Sequence, residues 1–72
     1  MKITYDADAK AAMISLVPIA PGAVADTFEC GDDTPGGSIY LDFDKDGRLL
    51  GIEVLSARET LPEELLEQAE RL

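Results

Sequence analysis

Two short runs of alternating apolar residues, separated by Asp46-Gly47, constrain this chain more than anything else in it. Ile39, Leu41 and Phe43 alternate with Tyr40 and Asp42 before the turn. Leu50, Ile52 and Val54 alternate with Gly51 and Glu53 after it. A period of two is what a strand with one buried face requires, because successive side chains point to opposite sides. Asp-Gly is also a preferred dipeptide for a two-residue type I′ hairpin turn. With Asp46-Gly47 as that turn, Lys45 faces Arg48, Phe43 faces Leu50, Leu41 faces Ile52 and Ile39 faces Val54. Tyr40 then faces Glu53, and Asp42 faces Gly51. A three-residue loop would set Leu41 against Gly51 and Ile39 against Glu53, moving the apolar set onto the wrong partners. The spacing therefore predicts a β-hairpin with an even turn.

The same residues spell a calcium loop. Asp42, Asp44, Asp46 and Glu53 occupy its ligand positions, and Gly47 its turn position. Such a loop lies between two helices and folds its last carboxylate back onto the cation. Here the flanks have strand periodicity, and six extended residues after Gly47 carry Glu53 about 20 Å away. No metal centre is expected, and Asp42, Asp44, Asp46 and Glu53 stand as the alternative ligand set for a divalent cation.

The rest of the chain reads as short elements. Lys2 to Tyr5 suits a strand with Ile3 and Tyr5 on one face, and Asp6-Ala7-Asp8 a turn. Ala9 to Met13 favours helix by propensity and Ile14 to Val17 favours strand. A strand over Ala12 to Val17, stopped by Pro18, is the expectation. Pro18 to Gly22 breaks the chain, Ala23 to Cys30 reads as a third strand, and Gly31 to Gly37 as a loop. From Leu61 to Leu72 the spacing of Leu61, Leu65, Ala69 and Leu72 predicts a helix, with Thr60 and Glu63 as a capping box. The predicted architecture is α+β: an antiparallel β-meander of about five strands with one C-terminal α-helix. It forms one domain over residues 1–72, with the sheet in 1–57 and the helix in 60–72.

Composition narrows the function. There is no histidine, which removes the commonest general base and the Ser-His and Cys-His pairs. The single cysteine, Cys30, has Glu29, Asp32 and Asp33 as sequence neighbours, the opposite of what activates a thiol. Gly36-Gly37 lacks the lysine and following helix of a phosphate loop. Neither a disulfide nor a zinc site of cysteine and histidine is available to reinforce so short a chain, so self-association into a homo-oligomer is expected. The formal charge of −9 disfavours nucleic acid and anionic membranes, and suits a basic protein partner. The chain has no apolar stretch near the ~20 residues of a membrane span. Its amino terminus lacks signal-peptide character, and a cytoplasmic location is expected.

Three stretches resemble a bacterial family of small proteins known as domain of unknown function 2283. They are Met1 to Asp6, Ala12 to Leu16 and, most specifically, Leu41-Asp42-Phe43-Asp44-Lys45-Asp46-Gly47-Arg48-Leu49-Leu50-Gly51-Ile52-Glu53-Val54-Leu55. The resemblance covers residues 1–57. It departs at Val17 to Gly22 and Gly31 to Gly36, where the connections look longer. The family carries no established activity, so the resemblance transfers no catalytic residue and no cofactor. Some relatives are encoded beside small toxin-like ribonucleases, and the same context here would imply an antitoxin role. The leading expectation is a non-enzymatic acidic interaction module, with Asp32, Asp33, Asp42, Asp44, Asp46, Glu63, Glu64, Glu67 and Glu70 as partner contacts. A metal- or small-ligand-binding domain and a purely structural homo-oligomer are the alternatives.

Overall fold

The first hairpin is closed by an aspartate. In the computed structural model, which describes residues 1–30 and 37–72, β1 (Lys2–Asp6) and β2 (Ala11–Ser15) pair antiparallel with Ile3 opposite Ile14 and Tyr5 opposite Ala12. Between them Asp6 Oδ1 accepts the N–H groups of Asp8 and Ala9 at 3.0 and 3.3 Å, a side-chain copy of a backbone turn. The turn leaves by Lys10 in the left-handed region.

The second hairpin joins β4 (Ile39–Phe43) to β5 (Leu49–Leu55), and its turn differs from the expected one. Asp44 N–H donates to Arg48 C=O at 2.9 Å, and Gly47 N–H donates to Asp44 C=O at 3.0 Å. Asp44 Oδ1 accepts from Asp46 and Arg48 N–H, each at 2.9 Å. With Gly47 at φ +80, this is a type I turn ending in a left-handed glycine, the three-residue loop. Phe43 accordingly meets Leu49, not Leu50. A register shift between Asp42 and Phe43 then leaves Leu50 as an extra residue in β5 and restores the pairs Asp42–Gly51, Leu41–Ile52, Tyr40–Glu53 and Ile39–Val54. The even turn was expected on the premise of an unbroken ladder. An odd loop and a one-residue bulge together give the same arms.

β3 (Asp26–Cys30) pairs antiparallel with β4, and the sheet order is β3-β4-β5-β2-β1, completed by β6 (Glu70–Arg71). The expected plain meander is thus corrected. β3, β4 and β5 are consecutive neighbours, but β2 lies beside β5 and reaches β3 by a long connection, a Greek key. The sheet has six strands and is mixed, because β6 runs parallel to β1 with Thr4 opposite Glu70 and Tyr5 opposite Arg71.

The single helix is also corrected. α1 (Ala57–Thr60) and α2 (Glu63–Glu67) are separated by Leu61, which is extended at φ −102 and ψ 147. Pro62 imposes this, since its ring clashes with a helical residue before it. Thr60 caps nothing; its hydroxyl donates to Ser56 C=O at 3.1 Å. Beyond α2 the chain turns back to the sheet edge, where Leu72 N–H donates to Tyr5 C=O.

The helices bury one sheet face. Tyr5, Ala12, Val54 and Ala57 form the buried core, and Ile39, Ile52, Leu61, Leu66 and Ala69 pack against it. Ala57 N–H is tied to Lys10 C=O at 3.0 Å, which fixes α1 over the first hairpin. No helix among the described residues is long and apolar enough to cross a membrane.

Candidate functional site

The register places a second set of residues on the opposite face of the sheet. From β3 to β1 it carries Thr27 and Glu29, Tyr40 and Asp42, Gly51 and Glu53 and Leu55, Ala11 and Met13 and Ser15, then Lys2 and Thr4 and Asp6. The core formed with the helices lies on the other side. Over this face Ile19 covers Gly51: a β-carbon there would stand 3.2 Å from Ile19 Cδ1.

Asp42 stands opposite Gly51 in the register, and Met13 and Ile19 close over the glycine. Asp42 is 3% exposed, and its carboxyl accepts the Thr27 hydroxyl hydrogen at 2.8 Å. Glu53, diagonal to it, is within reach across the strand pair. A hydrogen bond with Asp42 holds the Glu53 carboxyl above its ordinary range, and partial burial and the Asp42 charge push the same way. Tyr40 stands opposite Glu29. The hydrogen bond to Glu29 and its negative charge raise the Tyr40 hydroxyl, with burial and the Glu53 charge adding to them and a hydrogen bond with Ser38 opposing. Toward β1 the face opens into a groove of about 360 Å³, with Ala11, Met13 and Leu55 as apolar lining and Asp6 and Glu53 as its carboxylates.

This geometry divides the residues singled out in the sequence. Asp42 and Glu53 are brought together, but Asp42 is sunk beneath the surface. Asp44 is half-buried, with Oδ1 engaged by its own turn, and Asp46 is exposed beside it. Among the described residues no group of three or more side chains is gathered to hold a metal ion. Glu63, Glu64 and Glu67 are exposed on α2, and Glu70 pairs with Lys2 at 3.3 Å. Asp32 and Asp33 lie outside the described residues. The sequence reading overlooked Asp6, Met13, Glu29 and Tyr40 as parts of one surface. The signal for them was present: they fall on the strand positions that alternate with the apolar ones.

Two further cavities, of about 230 and 350 Å³, flank Arg58 beside the Tyr5 ring. The Arg71 and Arg58 guanidinium carbons lie 5.4 and 6.0 Å from that ring's centre. Glu63 and Glu67 line the first cavity and Glu59 the second, so carboxylates offset the cations Arg58, Arg71 and Lys10 there.

The model of one protein family, described as Protein of unknown function (DUF2283), matches residues 2–58. That span takes in β1 to β5 and the start of α1, and it leaves α2 and β6 outside. No curated protein and no solved structure matches the chain.

Proposed function

We propose that this chain, which belongs to the DUF2283 family, is a non-enzymatic binding module whose open sheet face receives a basic segment of a partner protein. The observation that carries this reading is the groove on the face away from the helices, toward β1, whose apolar lining is bounded by carboxylates. Lysine and arginine are built for such a surface, since their methylene stems cover apolar ground while their charged ends reach the rim. Met13, Leu55 and Ala11 would take the stems, and Asp6, Glu53 and Glu29 the charged ends. The formal charge is −9, and among the described residues one ion pair, the exposed Lys2–Glu70, engages a carboxylate. The exposed acids Asp46, Glu63, Glu64 and Glu67 therefore add long-range attraction and speed encounter without needing to touch the partner. In its most specific form the module is a cytoplasmic inhibitor seated in the basic cleft of a nuclease, where its carboxylates take the place of phosphates.

A peptide of alternating lysine and leucine, titrated into the labelled protein, tests the face itself. Saturable amide shifts centred on Thr4, Met13, Tyr40 and Glu53, abolished by Met13→Lys and by high salt, are expected. Shifts confined to the α2 acids, or a titration unchanged in Met13→Lys, would refute the assignment. For the inhibitor form, a basic ribonuclease should be blocked stoichiometrically by the protein and released by Glu53→Lys.

A further inference from the structure

We infer that the β3 edge is a second interface, where two copies of the chain join antiparallel about a two-fold axis at Phe28 and continue one sheet through both. This goes beyond the acidic face and does not depend on it.

The sheet has two edges. At β6 the edge is two residues long, both charged and exposed. At β3 it is five residues long and, among the described residues, paired on one side only, to β4. Asp26, Thr27, Phe28 and Glu29 are exposed and Cys30 half-buried, whereas β2, β4 and β5 are half-buried or buried along nearly their whole length. An edge of this kind offers a row of backbone groups to another strand.

Phe28 gives the edge a reason to be covered. The pairings place Phe28, Leu41, Ile52, Ile14 and Ile3 in one apolar row across five strands. The parallel row of Cys30, Ile39, Val54, Ala12 and Tyr5 holds most of the buried core. The first row ends in Phe28, which is 61% exposed. The whole chain exposes 5037 Å², where a compact monomer of its length exposes about 4,300 Å². That excess of about 700 Å² is spread over the chain, and it is of the order that covering one edge by a second copy removes, since each partner in a standard interface buries roughly 800 Å².

Charge selects the occupant's register. Two chains of this acidity repel, so a self-interface must keep its own carboxylates apart. With Phe28 opposite Phe28 of the second copy, Thr27 meets Glu29 and Asp26 meets Cys30, so no acid faces an acid. A slip of one residue toward the amino terminus sets Asp26 against Glu29, which is unfavourable on adjacent strands. The joined strands remain acidic overall, so salt should tighten this contact while it loosens the basic partner.

Sedimentation of the full chain across concentration should show a monomer–dimer equilibrium that shifts toward dimer between low and high sodium chloride. Phe28→Ser should weaken it at least ten-fold without loss of folding by circular dichroism. Asp26→Cys places a thiol opposite Cys30 of the second copy, and diamide should convert it to a covalent dimer. Within one chain those two positions lie about 13 Å apart along the strand, too far for a disulfide. Glu29→Cys, which faces Thr27 in this register, should not crosslink. A monomer at all concentrations and salts, a dimer indifferent to Phe28→Ser, or equal crosslinking of the two cysteine variants overturns the inference. None of these outcomes touches the lysine–leucine titration of the opposite face.

Discussion

At the scale of residues, the pair Asp42–Glu53 has the clearest consequence. The folded chain holds the Glu53 proton above the ordinary value of 4.5. Proton binding there therefore favours the folded state, and its contribution is complete below that value and lost as pH rises through the folded one. Glu53→Gln keeps a donor for Asp42 and cannot ionise. The variant should be more stable than the parent at pH 7, and its melting temperature should vary less between pH 4 and 7. Parallel curves for the two proteins would remove the pair from the account. Gly51 and Gly47 give a second contrast. A β-carbon at Gly51 would stand 2.6 Å from Met13 Cε, which can move, and 3.0 Å from the Ile14 carbonyl, which cannot. Gly51→Ala should cost about 1–3 kcal/mol in urea unfolding, as overpacking does. At Gly47 there is open space and only the left-handed backbone to oppose a side chain, so Gly47→Ala should cost about 1 kcal/mol. The sequence already assigned Gly47 to a turn. The role of Gly51, admitting the close approach of Met13 and Ile19 from outside the hairpin, became visible only with the pairing known.

Among elements, the two arms around the central turn were legible because alternation has one physical reading: a strand half in water. Ile39–Val54, Tyr40–Glu53, Leu41–Ile52 and Asp42–Gly51 pair as their spacing requires. What spacing alone could not show was that an odd loop can be offset by a bulge at Leu50, since both leave the apolar faces aligned. The carboxy-terminal segment failed for a local reason. Leu61, Leu65 and Ala69 do recur at helical spacing, but Pro62 outweighs them by forcing Leu61 to be extended. Leu66 then reaches the core from α2, flanked by Leu61 in the extended link before it and Ala69 beyond its end. The ring of Pro62 is thus what allows α1 and α2 to follow the sheet. The placement of β6 beside β1, and of β2 beside β5, rests on contacts between segments far apart in the chain, and no local pattern encodes them. The candidate face shared that fate. Its members were each recognisable as the polar positions of a strand, but Thr4 and Met13 meet Glu53 only through the β2–β5 pairing.

For the whole molecule, charge and size act against each other. The buried apolar core among the described residues is Tyr5, Ala12, Val54 and Ala57, a small store of hydrophobic stabilisation in a chain that carries a formal charge of −9. The Lys2–Glu70 pair is exposed on both sides and adds little. Self-repulsion is therefore the electrostatic term that dominates, and it acts over the whole structure. The molecule measures 32 × 27 × 20 Å, and at ~0.01 M salt the screening length is about 30 Å, so nearly every carboxylate feels every other. At ~1 M it is about 3 Å, and only immediate neighbours such as Asp42 and Glu53 still interact. The melting temperature should therefore climb steadily with sodium chloride over that range. Self-association would produce the same trend, so the measurement belongs on Phe28→Ser, at a concentration where sedimentation shows a monomer. A rise that persists in that variant is repulsion within one chain. A flat or falling curve would mean that the acids are neutralised by contacts beyond the one ion pair among the described residues.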